Sequence, residues 1–261
     1  MRLRWGVALF IVMALAVTRA QMPVTTSVPA AGGPIVITAL GHASVQIEQG
    51  AKVIIVDPVG GMADLSKAKP ADLLLVTDIH QDHLDPAAIA KLRKPGAPVV
   101  VPQAVADMKQ IPDPVVMRNR EMKTNEAALA GITVISVPAY NVQRGPAPGQ
   151  FYHPRERGQG YLLQLSSSLA AIREGKVASV YVAGDTECVP AMAQWVTNAD
   201  VALLPMNLPY TMTPAEAAAC AKEFKPKVAI PYHYMGQKPE EFAQGLKGTA
   251  IEVRLLNFYS K

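Results

Sequence analysis

The sequence predicts an α/β domain with a high strand content, on three observations. Short apolar runs rich in Val, Ile and Leu recur from Ile35 to the C-terminus, each about the length of a buried strand. Helix-start signals follow some of these runs, as in Asp85-Pro86 and Thr213-Pro214-Ala215-Glu216. No internal repeat or linker-like composition interrupts the chain after residue 34. With 261 residues, 50% of them apolar and 18% charged, the chain can build a sizeable core.

Residues 1–20 have the layout of a secretory signal peptide. Met1-Arg2-Leu3-Arg4 is basic, Trp5 to Val17 is apolar, and Thr18-Arg19-Ala20 places small residues at the −3 and −1 positions. The apolar stretch is short for a membrane span. Cleavage after Ala20 and a periplasmic or secreted destination are therefore expected, with no stable membrane association; a retained N-terminal anchor is the alternative. Cleavage removes Arg2, Arg4 and Arg19 from 25 basic residues set against 21 acidic ones, leaving a net charge of about +1. No Lys/Arg run or aromatic–basic interleaving appears, so nucleic acid is not an expected partner. Oligomeric state is not legible.

Residues 21–34, with Pro, Thr, Ser, Ala and Gly and no periodicity, read as a flexible leader. Residues 35–261 read as one domain. Its first strands are Ile35 to Leu40, Ser44 to Glu48 and Lys52 to Val56, the last two joined as a hairpin at Gln49-Gly50. Ala71 to Val76 is a strand and Pro86 to Leu92 a helix with Asp85 as N-cap. Val99 to Val101 is a short strand and Gln103 to Lys109 a helix. Ile132 to Val137, Gly160 to Leu165, Val177 to Ala183 and Val201 to Leu204 are further strands. The capping box at Thr213–Glu216 starts a helix to about Phe224. Val228 to Pro231 and Ile251 to Leu256 are the last strands.

The run Thr77-Asp78-Ile79-His80-Gln81-Asp82-His83-Leu84-Asp85 carries the chemistry. Two of the chain's five histidines and three carboxylates fall in it, between a buried strand and a helix start. Imidazole and carboxylate are the ligand set of a hydrolytic zinc or manganese site. The pattern recurs: Val180–Ala183 leads into Gly184-Asp185-Thr186, Val228–Pro231 into Tyr232-His233-Tyr234, and Ile135–Pro138 into Tyr140-Asn141 and a loop holding His153. Taken singly, Asp185 reads as a turn residue, His233 as a core histidine and His153 as solvent-exposed. Cys188 and Cys220 either pair in an oxidising compartment or stay as buried thiols. Cys188, three residues after Asp185, reads as a neighbour of the site rather than a ligand.

The order of these motifs resembles the metallo-β-lactamase superfamily, whose signature H-x-H-x-D-H follows a strand and precedes a histidine, a bridging aspartate and a final histidine. Asp78-Ile79-His80-Gln81-Asp82-His83 matches it except at Asp78. Gly41-His42-Ala43-Ser44, Val56-Asp57-Pro58, Pro138-Ala139-Tyr140-Asn141 and Tyr210-Thr211-Met212-Thr213 look like its UlaG-like branch of metal-dependent hydrolases. The resemblance implies a four-layer αββα sandwich with the site along one sheet edge. It implies that Asp78, His80 and His153 hold one ion, that Asp82, His83 and His233 hold a second, and that Asp185 lies between. The aspartate at position 78 either ligates, favouring a harder ion, or orients His80 or His153 and leaves one tight metal.

One or two divalent ions are expected: zinc first, with manganese or iron as alternatives. Asp82 is expected to orient the attacking water as well as ligate. His42 and Asp57 are expected to support the ligands, and Tyr140, Asn141, Asn207 and Tyr210 to contact a small-molecule substrate. The branch suggests hydrolysis of an ester, lactone or phosphodiester. A β-lactam ranks low, because the three-histidine set of true β-lactamases of this fold is incomplete. The competing reading is a non-catalytic, metal-holding domain that binds a ligand outside the cytoplasm. A site closed entirely by protein groups would favour it.

Overall fold

The structure is a computed structural model that describes residues 22–119, 122–123, 129–166 and 168–259. The expected signal peptide, residues 1–20, lies outside the described residues. Two seven-stranded sheets form the centre of the molecule. The first comprises β1 (Thr25–Val28), β2 (Ile35–Gly41), β3 (Ser44–Gln49), β4 (Lys52–Val56), β5 (Leu73–Leu75), β6 (Val99–Pro102) and β7 (Val115–Met117), lying in chain order. The second comprises β8 (Met122–Lys123), β9 (Thr133–Ala139), β10 (Gly158–Gln164), β11 (Ser179–Val182), β12 (Val201–Pro205), β13 (Val228–Tyr232) and β14 (Glu252–Val253), likewise in order. Both sheets follow one plan: the early strands are antiparallel, and β4 to β7 and β11 to β14 are parallel.

The parallel strands are continuous apolar runs because both of their faces are buried. Along β4 and β5, Ile54, Val56, Leu73 and Leu75 face the core shared with the second sheet. Their neighbours Val53, Ile55 and Leu74 face a separate layer, as a period of two requires. Ile89 and Leu92 of α1 (Pro86–Leu92) and Val105 of α2 (Gln103–Asp107) complete that layer. Beyond α3 (Leu169–Arg173), the second sheet is covered by α4 (Pro190–Trp195), α5 (Pro214–Phe224) and α6 (Pro239–Gly245). Phe224 of α5 meets Tyr181 of β11 edge to face at 6.1 Å. The four-layer αββα sandwich expected from the resemblance is the observed architecture. Tyr161 ties the sheets together, its hydroxyl donating to the Val76 carbonyl at 2.7 Å in the interior.

Several local expectations need correction. Thr25–Val28, inside the stretch read as a flexible leader, pairs antiparallel with Thr38–Ile35 as an edge strand. Its alternation of Thr and Ser with Val carries too little apolar signal to reveal it. The final strand is two residues, Glu252–Val253, because only β13 offers it an edge. The helix from Gln103 stops at Asp107, and Lys109 turns to a positive φ of 56°. The α3, α4 and α6 helices were not expected, although Ser168 caps the first, proline starts the other two, and Glu240 and Glu241 stand in the first turn of α6. The cysteines pair: Cys188, after β11, is bonded to Cys220 in α5, so neither is a free thiol beside the site. Closing a loop of this length, 32 residues, stabilises the fold by about 4 kcal/mol on a chain-entropy estimate.

Candidate metal centre

The sheets present their chemistry at the C-terminal ends of parallel strands, where α/β folds place their ligands. Asp57 follows β4, residues 78–83 follow β5, Asp185 follows β11 and His233 follows β13. His42 sits in the turn between β2 and β3. His42, Asp57 and His233 all have positive φ, at 50°, 47° and 46°. For non-glycine residues that conformation costs of order 1–2 kcal/mol each, and such strain concentrates at functional sites. Gly184, at φ 66°, has no such freedom to change: a Cβ there would lie 2.8 Å from the Gln159 carbonyl. That close packing sets Asp185 against the end of β5.

Two groups of ligand atoms result. Asp82, His83, Asp185 and His233 converge, as do Asp78, His80 and His153, with one donor atom from each lying within 4.8 Å of the others in its group. The resemblance implied the same residues, with Asp185 between the two sets rather than within the second. Asp185 joins them: its Oδ2 is 3.3 Å from His83 Nε2 and 3.1 Å from His153 Nε2, and its Oδ1 is 2.8 Å from His233 Nδ1.

Supporting hydrogen bonds aim the rings. Asp57, fully buried, accepts from Thr77 N at 2.7 Å, Thr77 Oγ1 at 2.5 Å and His83 Nδ1 at 2.8 Å. A proton on His83 Nδ1 leaves the Nε2 lone pair facing the centre. His153 lies twelve residues beyond Asn141, yet the two are tied together. Asn141 N donates to the His153 carbonyl at 2.8 Å, His153 N donates to Asn141 Oδ1 at 2.7 Å, and His153 Nδ1 lies 3.0 Å from the same oxygen. This clasp buries His153 instead of exposing it. His42 touches two of the candidate ligands: its Nε2 is 3.0 Å from Asp82 Oδ2 and 2.8 Å from His233 Nε2.

The electrostatics are those of a cation site. Burial opposes charge on His83, but Asp185 and Asp57 outweigh it and hold this imidazole well above its usual range. Burial likewise opposes ionisation of Asp185, and the His233 and His83 charges hold it well below the carboxylate range. Asp82 is held down against burial by hydrogen bonds to His233 and His42. The donor set fits a divalent ion at the second group. His83 Nε2 is buried and makes no aligned hydrogen bond, facing Asp185 Oδ2 at 3.3 Å, and His233 Nε2 stands 3.4 Å from Asp82 Oδ2 and 2.8 Å from His42 Nε2.

Asp82, Asp185, His80 and His153 open into a cavity of about 820 Å³, with Asn207 and Tyr210 in its wall. Asn207 Nδ2 is 3.2 Å from His233 Nε2. Two of the four expected substrate contacts are placed elsewhere. The Asn141 side chain is buried and fully engaged by His153 and by the Tyr210 carbonyl, to which its Nδ2 donates at 2.8 Å. Tyr140 turns to a different cavity, where the Arg155 guanidinium lies 4.4 Å over its ring. Both lie past the end of β9, and each is held by its own partners away from the pocket. Sequence reading missed Tyr259, whose hydroxyl is 3.0 Å from His42 Nδ1, and gave no signal for it. It also missed Arg157, which the extra negative charge at Asp78 could have prompted.

Fold and site together define a metal-dependent hydrolase of the metallo-β-lactamase fold. Residues 36–233 match the family model described as the beta-lactamase superfamily domain, and the chain belongs to that family. It is similar to a UPF0173 metal-dependent hydrolase of Thermococcus kodakarensis, 32% identical over 237 residues that cover 83% of this chain and 94% of the relative. A UPF0173 metal-dependent hydrolase of Pyrococcus furiosus is 32% identical over 238 residues, covering 84% and 95%. A crystal structure assigned as a metal-dependent hydrolase from Parabacteroides distasonis shares 34% identity at a TM-score of 0.76, covering 89% of this chain and 99% of that one. Igni18, a metallo hydrolase from Ignicoccus hospitalis, shares the fold at 20% identity and a TM-score of 0.67, covering 87% and 96%.

Proposed function

We propose that the protein hydrolyses a neutral carboxylic ester or lactone with an apolar body, outside the cytoplasm, using zinc held by Asp82, His83, Asp185 and His233. The cavity wall carries this reading. Met62, Met108, Tyr210 and Met235 line it and are 50%, 40%, 41% and 54% exposed, an unusual concentration of exposed large apolar side chains around one pocket. Flexible methionines at a rim accommodate apolar groups of varied shape. No Lys or Arg is among the described residues lining it, and the Arg157 guanidinium beside His80 is already paired with Asp78, which favours an uncharged acyl group over a phosphodiester. Asp82 and Asp185 border the open cavity, so a water can join the four protein donors as a fifth ligand, which disfavours a purely structural site.

A bound divalent ion supplies Lewis acidity and lowers the pKa of water toward about 7. The chain supplies the rest. Asp82 Oδ2 accepts a proton from the attacking water, and His42 Nε2, 3.0 Å away, is the adjacent group that can hold it. The proton then goes to the leaving alkoxide as the ester C–O bond breaks. His83 and His233 are fixed by Asp57 and Asp185, and the apolar rim orients the substrate.

Protein purified without chelator is expected to contain metal. It should turn over p-nitrophenyl esters or aryl lactones, lose that activity in EDTA and regain it with zinc. Metal-free protein whose stability does not respond to EDTA would end the metal reading. Turnover of bis(p-nitrophenyl) phosphate in the absence of ester turnover would end the ester reading.

Export is supported by the Arg-flanked apolar N-terminus and the Cys188–Cys220 disulfide. Mass spectrometry of the exported protein should find its first residue near Gln21; a soluble cytoplasmic protein retaining Met1 would contradict export.

A further inference from the structure

The first group of donors differs from the second in one respect: it already holds a cation. Arg157, immediately before β10, lies against Asp78, with Nε 3.2 Å from Oδ1 and Nη2 3.4 Å from Oδ2. The same Nη2 is 3.2 Å from His80 Nε2 and also donates to the Tyr152 carbonyl. Nη2 thus reaches Asp78 Oδ2 and the outer nitrogen of His80, while Nε faces Asp78 Oδ1 as an ion pair without a hydrogen bond, that oxygen accepting from Ile79 N at 2.6 Å. The third donor, His153 Nε2, is nearer to Asp185 Oδ2 at 3.1 Å than to Asp78 Oδ2 at 3.7 Å.

The placement is built into the fold. Gln159 N donates to the Thr77 carbonyl at 2.9 Å. A Cβ at Gly158 would stand 3.2 Å from that carbonyl and 3.6 Å from the Asp78 carboxyl carbon. The start of β10 is therefore pressed onto the end of β5, and the residue before it is held beside Asp78. The Arg157 side chain is only 20% exposed, and Asp78 is 1% exposed.

Charge accounting separates the two groups. Asp82 faces the second one, and Asp185 stands between the two, its Oδ2 3.1 Å from His153 and 3.3 Å from His83; one divalent ion on the second group neutralises these two negative charges. Asp78 brings one negative charge to the first group, and Arg157 neutralises it. A divalent ion added there would have to displace the guanidinium or leave uncompensated positive charge in a buried place, which is costly. A buried guanidinium charge is compensated by a carboxylate at position 78 and would not be by a neutral imidazole there, so the aspartate at position 78 and the arginine at 157 explain each other.

We propose that the Arg157 guanidinium takes the place of the first metal ion, and that the resident centre is mononuclear, built on Asp82, His83, Asp185 and His233. This rests on the metal reading of the second group. The test is stoichiometry. Wild-type protein, stripped and titrated with zinc or cobalt(II), should saturate at one equivalent by calorimetry and by the cobalt(II) visible bands, and Arg157→Lys should do the same. Arg157→Gln should admit a second, weaker equivalent, and Asp78→His combined with Arg157→Gln should bind two, with a second set of cobalt bands. Two tight equivalents in the wild type would overturn the proposal while leaving the metal reading intact. One equivalent in both the wild type and the double variant would also overturn it, because the guanidinium would then not be what excludes the second ion. No binding at all in the wild type would remove the metal reading and this proposal with it. The wild-type count decides even where a variant fails to fold.

Discussion

Asp82→Asn is expected to lower kcat by about 10²–10⁴-fold, the range associated with losing a positioned proton acceptor, with KM changing much less. The asparagine preserves size and leaves His83, Asp185 and His233 to hold metal. It removes the carboxylate that stands 3.0 Å from His42 Nε2 and 3.4 Å from His233 Nε2. Its amide nitrogen can donate but cannot take a proton, so the loss falls on the transition state rather than on substrate binding. Steady-state kinetics at a zinc concentration that saturates both proteins measures this, and metal analysis of the variant separates ligation from proton transfer. An unchanged kcat would show that Asp82 neither orients nor deprotonates the water.

The largest effect on stability is expected from Asp57→Ala, at about 3–5 kcal/mol, the usual consequence of removing one partner of a buried ion pair. Asp57 has no exposed surface. Its loss strands the Thr77 N–H in the interior, leaves the Thr77 hydroxyl and His83 Nδ1 only each other, 2.9 Å apart, and puts an alanine at a φ of 47°. For a domain of this size the midpoint of thermal unfolding should fall by about 6–20 °C. Zinc affinity should fall by about 10–100-fold, because His83 loses the group that fixes its tautomer. Asp57→Asn should be milder in stability, since asparagine tolerates the left-handed conformation, yet its amide cannot accept from every donor that Asp57 serves. Urea unfolding and a chelator competition assay measure both effects. A loss below about 1 kcal/mol with unchanged zinc affinity would mean that Asp57 is not what orders this strand end.

Much of the centre was legible because its ligands sit at strand ends. Asp78 to His83 form one local cluster, and Asp185 and His233 each follow an apolar run that could only be a buried strand. The family order of those motifs supplied the pairing into two groups. His153 was harder to read, because the bonds that turn it inward come from Asn141, twelve residues away across a loop. Asn141 was misread for the same reason: its side chain is spent on that clasp.

By itself, then, the amino-acid sequence determined the α/β class, the strands that carry the ligands, the metal-type chemistry and the odd aspartate at position 78. These are local properties of apolar periodicity, capping and residue type. Tertiary structure alone decided which distant side chains complete the centre. Tyr259 reaches His42 from the other end of the chain. Tyr140, just past β9, lines a different cavity, where Arg155 covers its ring and donates to its hydroxyl. Arg157 meets Asp78 only because β10 packs on the end of β5 across the two sheets. Contacts between residues far apart in the chain depend on sheet order and packing, and neither composition nor periodicity encodes them residue by residue.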